Sequence, residues 1–406
     1  RELGVTKVLV GRDTRESGKQ LETALANGLL AGGVSVELLG VAPTPAIAFL
    51  AAKRGCASAA ITASHNPYLD NGVKLFANGG VKLSDAQQDA IESHMTGSAT
   101  VPAASALQVD LLGEYASHIV GLFPVLAFAN IRVVLDCANG AMSDVAPEVF
   151  ARLGATVIVL NDRPNGKNIN EGCGATHPEV VSEAVRLHKA DLGLAFDGDG
   201  DRVIAVDHIG DVVDGDHLIA LAAIDLHKRG KLKSNSVAVT VMTNAGFHQA
   251  MTKAGINVIT TPVGDRNILV AFDEHGVVLG GEQSGHIIYR DYATTGDGLL
   301  AGAMLVDLVR REAKPLATLA RNAMTSLPQT LINIRVAQVV NSPAEDLAAE
   351  ITDATKRLDG IGRVLLRASG TEPVVRVMVE AASQETADAV AQGLAEVVSQ
   401  RFGGVR

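Results

Sequence analysis

One grammar recurs three times along this 406-residue chain, and it limits the fold more than any other feature. Residues 7–10 form a short apolar, β-rich run, and a polar loop follows over 11–18. A helical stretch comes next over 19–31, with Leu21, Ala24, Leu25, Gly28 and Leu29 on one face. Gly32-Gly33 stops it, and residues 34–39 read as a second strand. The same order returns at 131–135, with a loop over 136–141, a helix to Leu153, then Gly154 and a strand over 156–160. It returns again at 236–241, with a loop over 242–246, a helix to Lys253, then Gly255 and a strand over 256–260. Strand, loop, helix, glycine stop and strand make the βαβ unit, whose right-handed crossover demands a parallel pair. Three copies predict three similar mixed-sheet α/β domains in series. In such sheets ligands bind beyond the carboxyl ends of the strands, which is where the polar loops of this chain fall.

The last part of the chain reads differently. Strands at 331–336, 363–366 and 374–380, with helices over 343–358 and 383–401, give a smaller C-terminal α+β domain. Residues 325–330, with Pro328, form the linker before it. A small-residue stretch over 98–105 reads as a loop, and 110–123 as a helix entering the second domain. The expected domains are 1–113, 114–214, 215–326 and 327–406, set around a central cleft.

Apolar residues make up 47% of the chain, enough for several cores. Aromatics are only 3% and Trp is absent, so Ala, Val, Leu and Gly must do the packing. The net charge of −10 argues against a nucleic-acid partner. No apolar stretch approaches the ~20 residues of a membrane span, and no signal-peptide pattern opens the chain. Cys56, Cys137 and Cys173 are odd in number and widely spaced, which points to reduced thiols and a cytoplasmic location. Arg1 lies within a few residues of a strand, so a further N-terminal segment is expected ahead of it.

The most telling loop is Asp197-Gly198-Asp199-Gly200-Asp201-Arg202, set between the apolar runs 192–196 and 203–206. Three carboxylates at alternate positions need a counter-charge, and the two glycines let the backbone curl until all three face one point. A hard cation with oxygen ligands fits there, and Mg²⁺ is the commonest choice beside phosphate. Arg202 can take a phosphate bidentately.

Four further loops carry polar chemistry. A small apolar strand over 57–61 runs into Thr62-Ala63-Ser64-His65-Asn66-Pro67. Pro67 keeps Asn66 out of a helix, so Ser64 stands on a tight turn. Such a serine can be a nucleophile or phosphate carrier, or can bond its own backbone; His65 can be a base or simply the polar occupant of the turn. Asn71-Gly72 is a hairpin signal, with Lys74 just beyond it as either an acid/base group or a surface lysine. Gly280-Gly281-Glu282-Gln283-Ser284-Gly285-His286 offers donors and acceptors suited to sugar hydroxyls. Arg367-Ala368-Ser369-Gly370-Thr371-Glu372-Pro373, with Arg376 on the next strand, has the makings of a phosphate nest. One metal loop, one displayed serine, one polyol loop and one phosphate nest are the inventory of phosphoryl transfer to or from a sugar phosphate.

These motifs, in this order, resemble the four signatures of the α-D-phosphohexomutases, and the resemblance covers nearly the whole chain. It implies that Ser64 is carried as a phosphoserine. It implies one Mg²⁺ per chain, held by Asp197, Asp199, Asp201 and a phosphoserine oxygen on Ser64. Arg202 would support that phosphate, and Lys74 and His65 would serve in proton transfer. Glu282, Ser284 and His286 would hold the sugar. Arg367, Ser369, Gly370, Thr371 and Arg376 would bind the phosphate already on the substrate. Gln283, where the glucose and mannose branches usually carry Met, and Thr294-Thr295-Gly296-Asp297-Gly298 point to the bacterial branch that acts on glucosamine phosphates. The implied intermediate is glucosamine 1,6-bisphosphate, and the alternative is the glucose or mannose branch of the same fold. The implied partner is a small sugar phosphate, with no nucleic acid and no membrane; a homodimer is compatible with the sequence. The family usually carries a Gly-Thr-Asp-Gly-Ile-Arg-Gly-like segment ahead of the first repeat, and its arginine helps to shape the phosphoserine site.

Overall fold

The structure is a computed structural model that describes residues 3–94, 106–368 and 372–404. The loop expected over 98–105 lies outside the described residues. The chain divides into two compact units, one of residues 1–243 and 251–323, the other of residues 244–250 and 324–406.

The first unit holds three sheets, each grown from one copy of the repeat. In the first, strand Lys7–Arg12 pairs in parallel with Ser35–Val41 and with Ala57–Ile61. Val73–Ala77 then adds antiparallel to Ala57–Ile61, so the sheet is mixed. In the second, Arg132–Asp136 lies parallel between Thr156–Leu160 and Leu192–Phe196, and Val203–Asp207 returns antiparallel. In the third, Ser236–Thr240 lies parallel between Asn257–Thr261 and Leu279–Gly281, with Ile287–Tyr289 antiparallel at the edge. The central strands read as unbroken apolar runs because helices cover both faces, and Leu192–Phe196 and Ser236–Thr240 are buried at every position.

The second unit carries a three-stranded antiparallel sheet, with Val374–Ala381 between Gln329–Arg335 and Gly362–Ala368. Its core sets Val375, Val377 and Val379 of the middle strand against Ala387, Ala391, Leu394 and Val398 of helix Gln384–Phe402. The single helix expected over 343–358 is two, Pro343–Asp346 and Ala348–Lys356, because Leu347 leaves helical geometry at φ −120°, ψ 28°. Among the described residues no helix is long and apolar enough to cross a membrane.

The Asn71-Gly72 pair is not the hairpin turn expected of it. The antiparallel strands Ala57–Ile61 and Val73–Ala77 are joined by the whole serine loop. The pair closes that loop instead: Thr62 N–H donates to Gly72 O at 3.0 Å, and Asn71 Nδ2 donates to Ser17 Oγ at 2.9 Å.

Asp297 caps helix Gly298–Glu312 through Leu300 N–H and also accepts the buried Tyr115 hydroxyl at 2.8 Å, both on Oδ1. Burial pushes this carboxyl up from its ordinary 3.8 to about 6, against the pull of those donors. A raised folded value means stability that is present at low pH and lost as pH climbs through about 4 to 6. Asp297→Asn keeps an oxygen for both donors and removes the buried charge. The variant is therefore expected to be more stable than the parent at pH 8, by up to about 3 kcal/mol, with the gain gone below pH 4. Thermal melts across pH check this, and a variant less stable at pH 8 overturns it.

Candidate functional site

Strand Ala57–Ile61 is fully buried and ends where the serine loop begins. Ser64 sits at φ 52°, in the left-handed region that a serine enters only when its surroundings insist. Its N–H donates to Thr62 Oγ1 at 2.9 Å. Its carbonyl accepts from Arg15 Nη2 at 3.1 Å and from Asn170 Nδ2 at 2.9 Å. Both donors also reach Asn66 O, at 2.6 and 3.0 Å, so two side chains from loops of two different sheets fix the same turn. Arg15 is itself fully buried and paired with Asp13.

The result of this clamping is that Ser64 Oγ donates to Asp197 Oδ2 at 2.6 Å. Asp197, Asp199 and Asp201 are 0, 1 and 4% exposed, and one oxygen from each lies within 4.8 Å of the others. Gly200, at φ 73°, gives the loop its curl. Gly198 contributes differently: a Cβ there would meet Ser64 O at 2.8 Å, so its bare backbone lets the serine loop approach. Arg202 N–H donates to Asp197 Oδ1 at 3.1 Å and closes the turn.

Two cations answer these three carboxylates. Lys74 Nζ donates to Asp199 Oδ2 at 2.8 Å and to Asp201 Oδ2 at 3.0 Å. Burial opposes the charge on Lys74, but Asp199 and Asp201 outweigh it and hold the amine firmly as an ammonium. Burial also raises Arg202's difficulty in staying charged, and Asp197 and Asp201 again outweigh it. Asp197 is held well above the usual carboxylate range by burial and then by Asp201 and Asp199. Asp201 goes the other way: burial works against its ionisation, but Lys74 and His286 more than offset it. His65 Nδ1 lies 3.5 Å from Ser64 Oγ, and burial followed by Arg202 pushes its imidazole toward the neutral form.

The donor set fits a hard divalent cation. Asp199 Oδ1 and Asp201 Oδ1 are buried and accept no hydrogen bond from any described residue. Buried carboxylate oxygens left bare are costly unless something positive takes them. Thr44, which donates from Oγ1 to Asp199 Oδ2 at 2.6 Å and from its N–H to Asp199 O at 2.9 Å, fixes the middle carboxylate.

The loop over 280–286 lies against the metal loop, with Val203 N–H donating to Gly285 O at 3.1 Å. Glu282 is half-buried and Ser284 exposed. Glu282 Oε1 accepts Gly264 N–H at 3.1 Å, and Gln283 Nε2 donates to Asp214 Oδ2 at 3.3 Å. His286 is buried, with Nδ1 3.6 Å from Asp201 Oδ1. Ser64, His65, Lys74, Arg202, His286 and the three aspartates thus share one polar cluster. In the second unit, Arg367 and Arg376 stand directly opposite on paired strands. Partial burial and the charge of Arg376 both press Arg367 down from its ordinary value, and Arg376 Nε makes no hydrogen bond with a described residue. Two facing guanidiniums of this kind suit an anion. Ser369, Gly370 and Thr371 lie outside the described residues.

The chain matches four families in order along its length. These are phosphoglucomutase/phosphomannomutase alpha/beta/alpha domain I over residues 1–101, domain II over 113–210, domain III over 214–327, and the C-terminal domain over 331–397. The chain belongs to the phosphoglucomutase/phosphomannomutase family. Within that family it is 49% identical to the phosphoglucosamine mutase of Frankia casuarinae, over 97% of this chain and 88% of that protein. It superposes on a phosphoglucomutase/phosphomannomutase family protein from Burkholderia thailandensis with a TM-score of 0.80 and 26% identity, covering 98% of this chain and 90% of that one. The N-acetylphosphoglucosamine mutase of Aspergillus fumigatus, solved with GlcNAc-6P and magnesium, shares the fold at a TM-score of 0.66 and 20% identity, over 88% of this chain and 92% of that one.

As a phosphohexomutase the chain has supporting residues that its motifs do not announce. Asp13, Arg15, Thr44 and Asn170 lie outside the four signatures, yet they shape the serine and the triad. Arg15 and Asp13 stand in a polar loop after a strand, and that position was the only sign of them.

Proposed function

We propose that the chain is a phosphoglucosamine mutase that interconverts glucosamine 6-phosphate and glucosamine 1-phosphate through a phosphorylated Ser64 and a glucosamine 1,6-bisphosphate intermediate. The observation that carries this reading is the Ser64 hydroxyl, 2.6 Å from Asp197 inside a buried aspartate trio that has two bare oxygens. Asp197, Asp199 and Asp201 would hold one Mg²⁺, together with an oxygen of the Ser64 phosphate. When bound, the ion supplies the positive charge that a transferring phosphoryl group requires.

The protein's own groups do the rest. Phosphoryl transfer needs alignment and charge neutralisation more than a strong nucleophile. The phosphoryl group leaves Ser64 Oγ as the phosphorus bonds the free hydroxyl at C1 of glucosamine 6-phosphate. That hydroxyl's proton goes to His65, which is pushed toward its neutral form, and passes from its ring, 3.5 Å from Ser64 Oγ, to the departing serine oxygen. Lys74 stays an ammonium and steadies charge at the triad, while Arg202 braces the phosphate. The bisphosphate then presents its C6 phosphate, and return of that group to Ser64 leaves glucosamine 1-phosphate. Glu282 and Ser284 face the sugar hydroxyls, and Arg367 and Arg376 bind the phosphate that is not reacting. Ser64 is only 8% exposed, which protects a phosphoserine from water. The three cysteines are free and buried, in keeping with a cytoplasmic location.

Turnover of glucosamine, glucose and mannose 6-phosphates tests the assignment. The glucosamine compound is expected to have the highest kcat/KM of the three. If it were the poorest, the glucose or mannose branch would replace this reading.

A further inference from the structure

The sugar loop is a tight turn, and its first central residue is held at two points. Gly285 N–H donates to Glu282 O at 3.0 Å, so Gln283 and Ser284 are the central pair of a β-turn. Backbone bonds fix the flanks: Glu282 N–H donates to His286 O at 3.0 Å, and Val203 N–H donates to Gly285 O at 3.1 Å. The peptide that joins two central residues can still turn over, and its orientation separates a type I turn from a type II turn. Here the carbonyl of that peptide, Gln283 O, accepts Gly215 N–H at 3.0 Å. A Cβ at Gly215 would run into the carbonyls of Glu282 and Gln283, so only glycine lets this amide come so close.

The side chain of Gln283 is taken by the residue before Gly215. Asp214 is the N-cap of helix Gly215–Lys228, and its carboxylate is divided between two tasks. Oδ1 accepts His217 N–H at 3.1 Å and lies 2.7 Å from His217 Nδ1. Oδ2 takes no part in the cap and accepts Gln283 Nε2 at 3.3 Å. Burial works against the charge on Asp214, but the donors of His217, and after them Gln283, more than offset it. An N-cap needs one side-chain oxygen, so the second oxygen is left for the loop.

We propose that Gln283 and Asp214 are positioning residues for the mutase reaction: Asp214 holds the Gln283 side chain, and the turn pinned in this way aims Glu282 and Ser284 at the sugar. The proposal rests on reading those two side chains as the sugar contacts. Gln283 then governs sugar binding without touching the sugar.

Gln283→Met keeps the length of the side chain and removes its amide. Asp214→Ser keeps a cap for His217 N–H and is too short to reach Gln283. On the sugar 6-phosphate that the parent turns over best, each variant is expected to raise KM about tenfold, as loss of a hydrogen bond to a charged group does, and to leave kcat within about twofold, which marks lost binding rather than lost chemistry. The double variant is expected to match either single one, because both changes remove the same bond. Hydrogen exchange needs no substrate, and the amides of residues 282–285 are expected to exchange faster in both variants than in the parent. A parent-like KM in either variant, a double-variant KM near the product of the two single rises, or parent-like exchange over 282–285 overturns the proposal. A parent that prefers glucose or mannose 6-phosphate removes the glucosamine assignment instead, and the exchange rates and the variant cycle still decide whether the pair holds the turn.

Discussion

Ser64→Ala is expected to lower mutase turnover by about 10⁴-fold or more, as loss of a covalent nucleophile does elsewhere, and to leave the chain folded. The first half of that expectation follows from chemistry. The Ser64 hydroxyl stands at the trio on a turn displayed at a strand end, and alanine has no oxygen to offer. The second half follows from what the change leaves intact. The turn is fixed by Arg15 and Asn170 through the carbonyl and by Thr62 through the N–H, and none of these bonds uses the side chain. What is lost is the 2.6 Å bond to Asp197, which still accepts from Arg202 N–H. The parent should also show an increment of about 80 Da, one phosphate, in its intact mass, and the variant should not. An alanine variant retaining more than about one per cent of parent turnover would remove Ser64 from the mechanism.

The gross organisation could be read from residue order because the repeat is local. A β-rich run, a polar loop, an amphipathic helix and a glycine stop are decided within about 35 residues, and the mixed sheets follow from them. The aspartate loop was legible for a related reason: three like charges in six residues have no comfortable arrangement without a cation. What escaped notice depends on long-range contact. Arg15 and Asn170 are 155 positions apart and act on the same two carbonyls, and nothing in either neighbourhood says so. Thr44 caps no charge in its own segment, yet it bonds Asp199 from another sheet. Asn71-Gly72 misled because a hairpin signal describes a turn in isolation, whereas here the chain had a longer loop to close. The break at Leu347 escaped because the apolar spacing continues through it.

Asp197→Asn should push stability and activity in opposite directions, and this contrast distinguishes a functional trio from a structural one. The substitution changes almost nothing but charge. An asparagine oxygen still accepts Arg202 N–H, and its Nδ2 can donate to Ser64 Oγ, so both contacts survive with one reversed in sense. What disappears is one of three buried carboxylates that Lys74 and Arg202 face with two positive charges. Without metal the variant is therefore expected to melt higher than the parent, by an equivalent of about 1 to 2 kcal/mol. The sign with pH agrees. Burial and its two neighbours hold the Asp197 carboxyl above the usual range, so its contribution is lost as pH rises from about 4, and the advantage of the variant grows over the same interval. With Mg²⁺ the order reverses. The parent gains about 2.7 kcal/mol at a hundredfold excess over Kd, the variant gains far less, and its turnover falls about 10³-fold. Melting curves with and without Mg²⁺ provide the check. A variant that melts lower than the parent without metal, and gains as much from Mg²⁺, would mean that the trio holds the fold together rather than an ion.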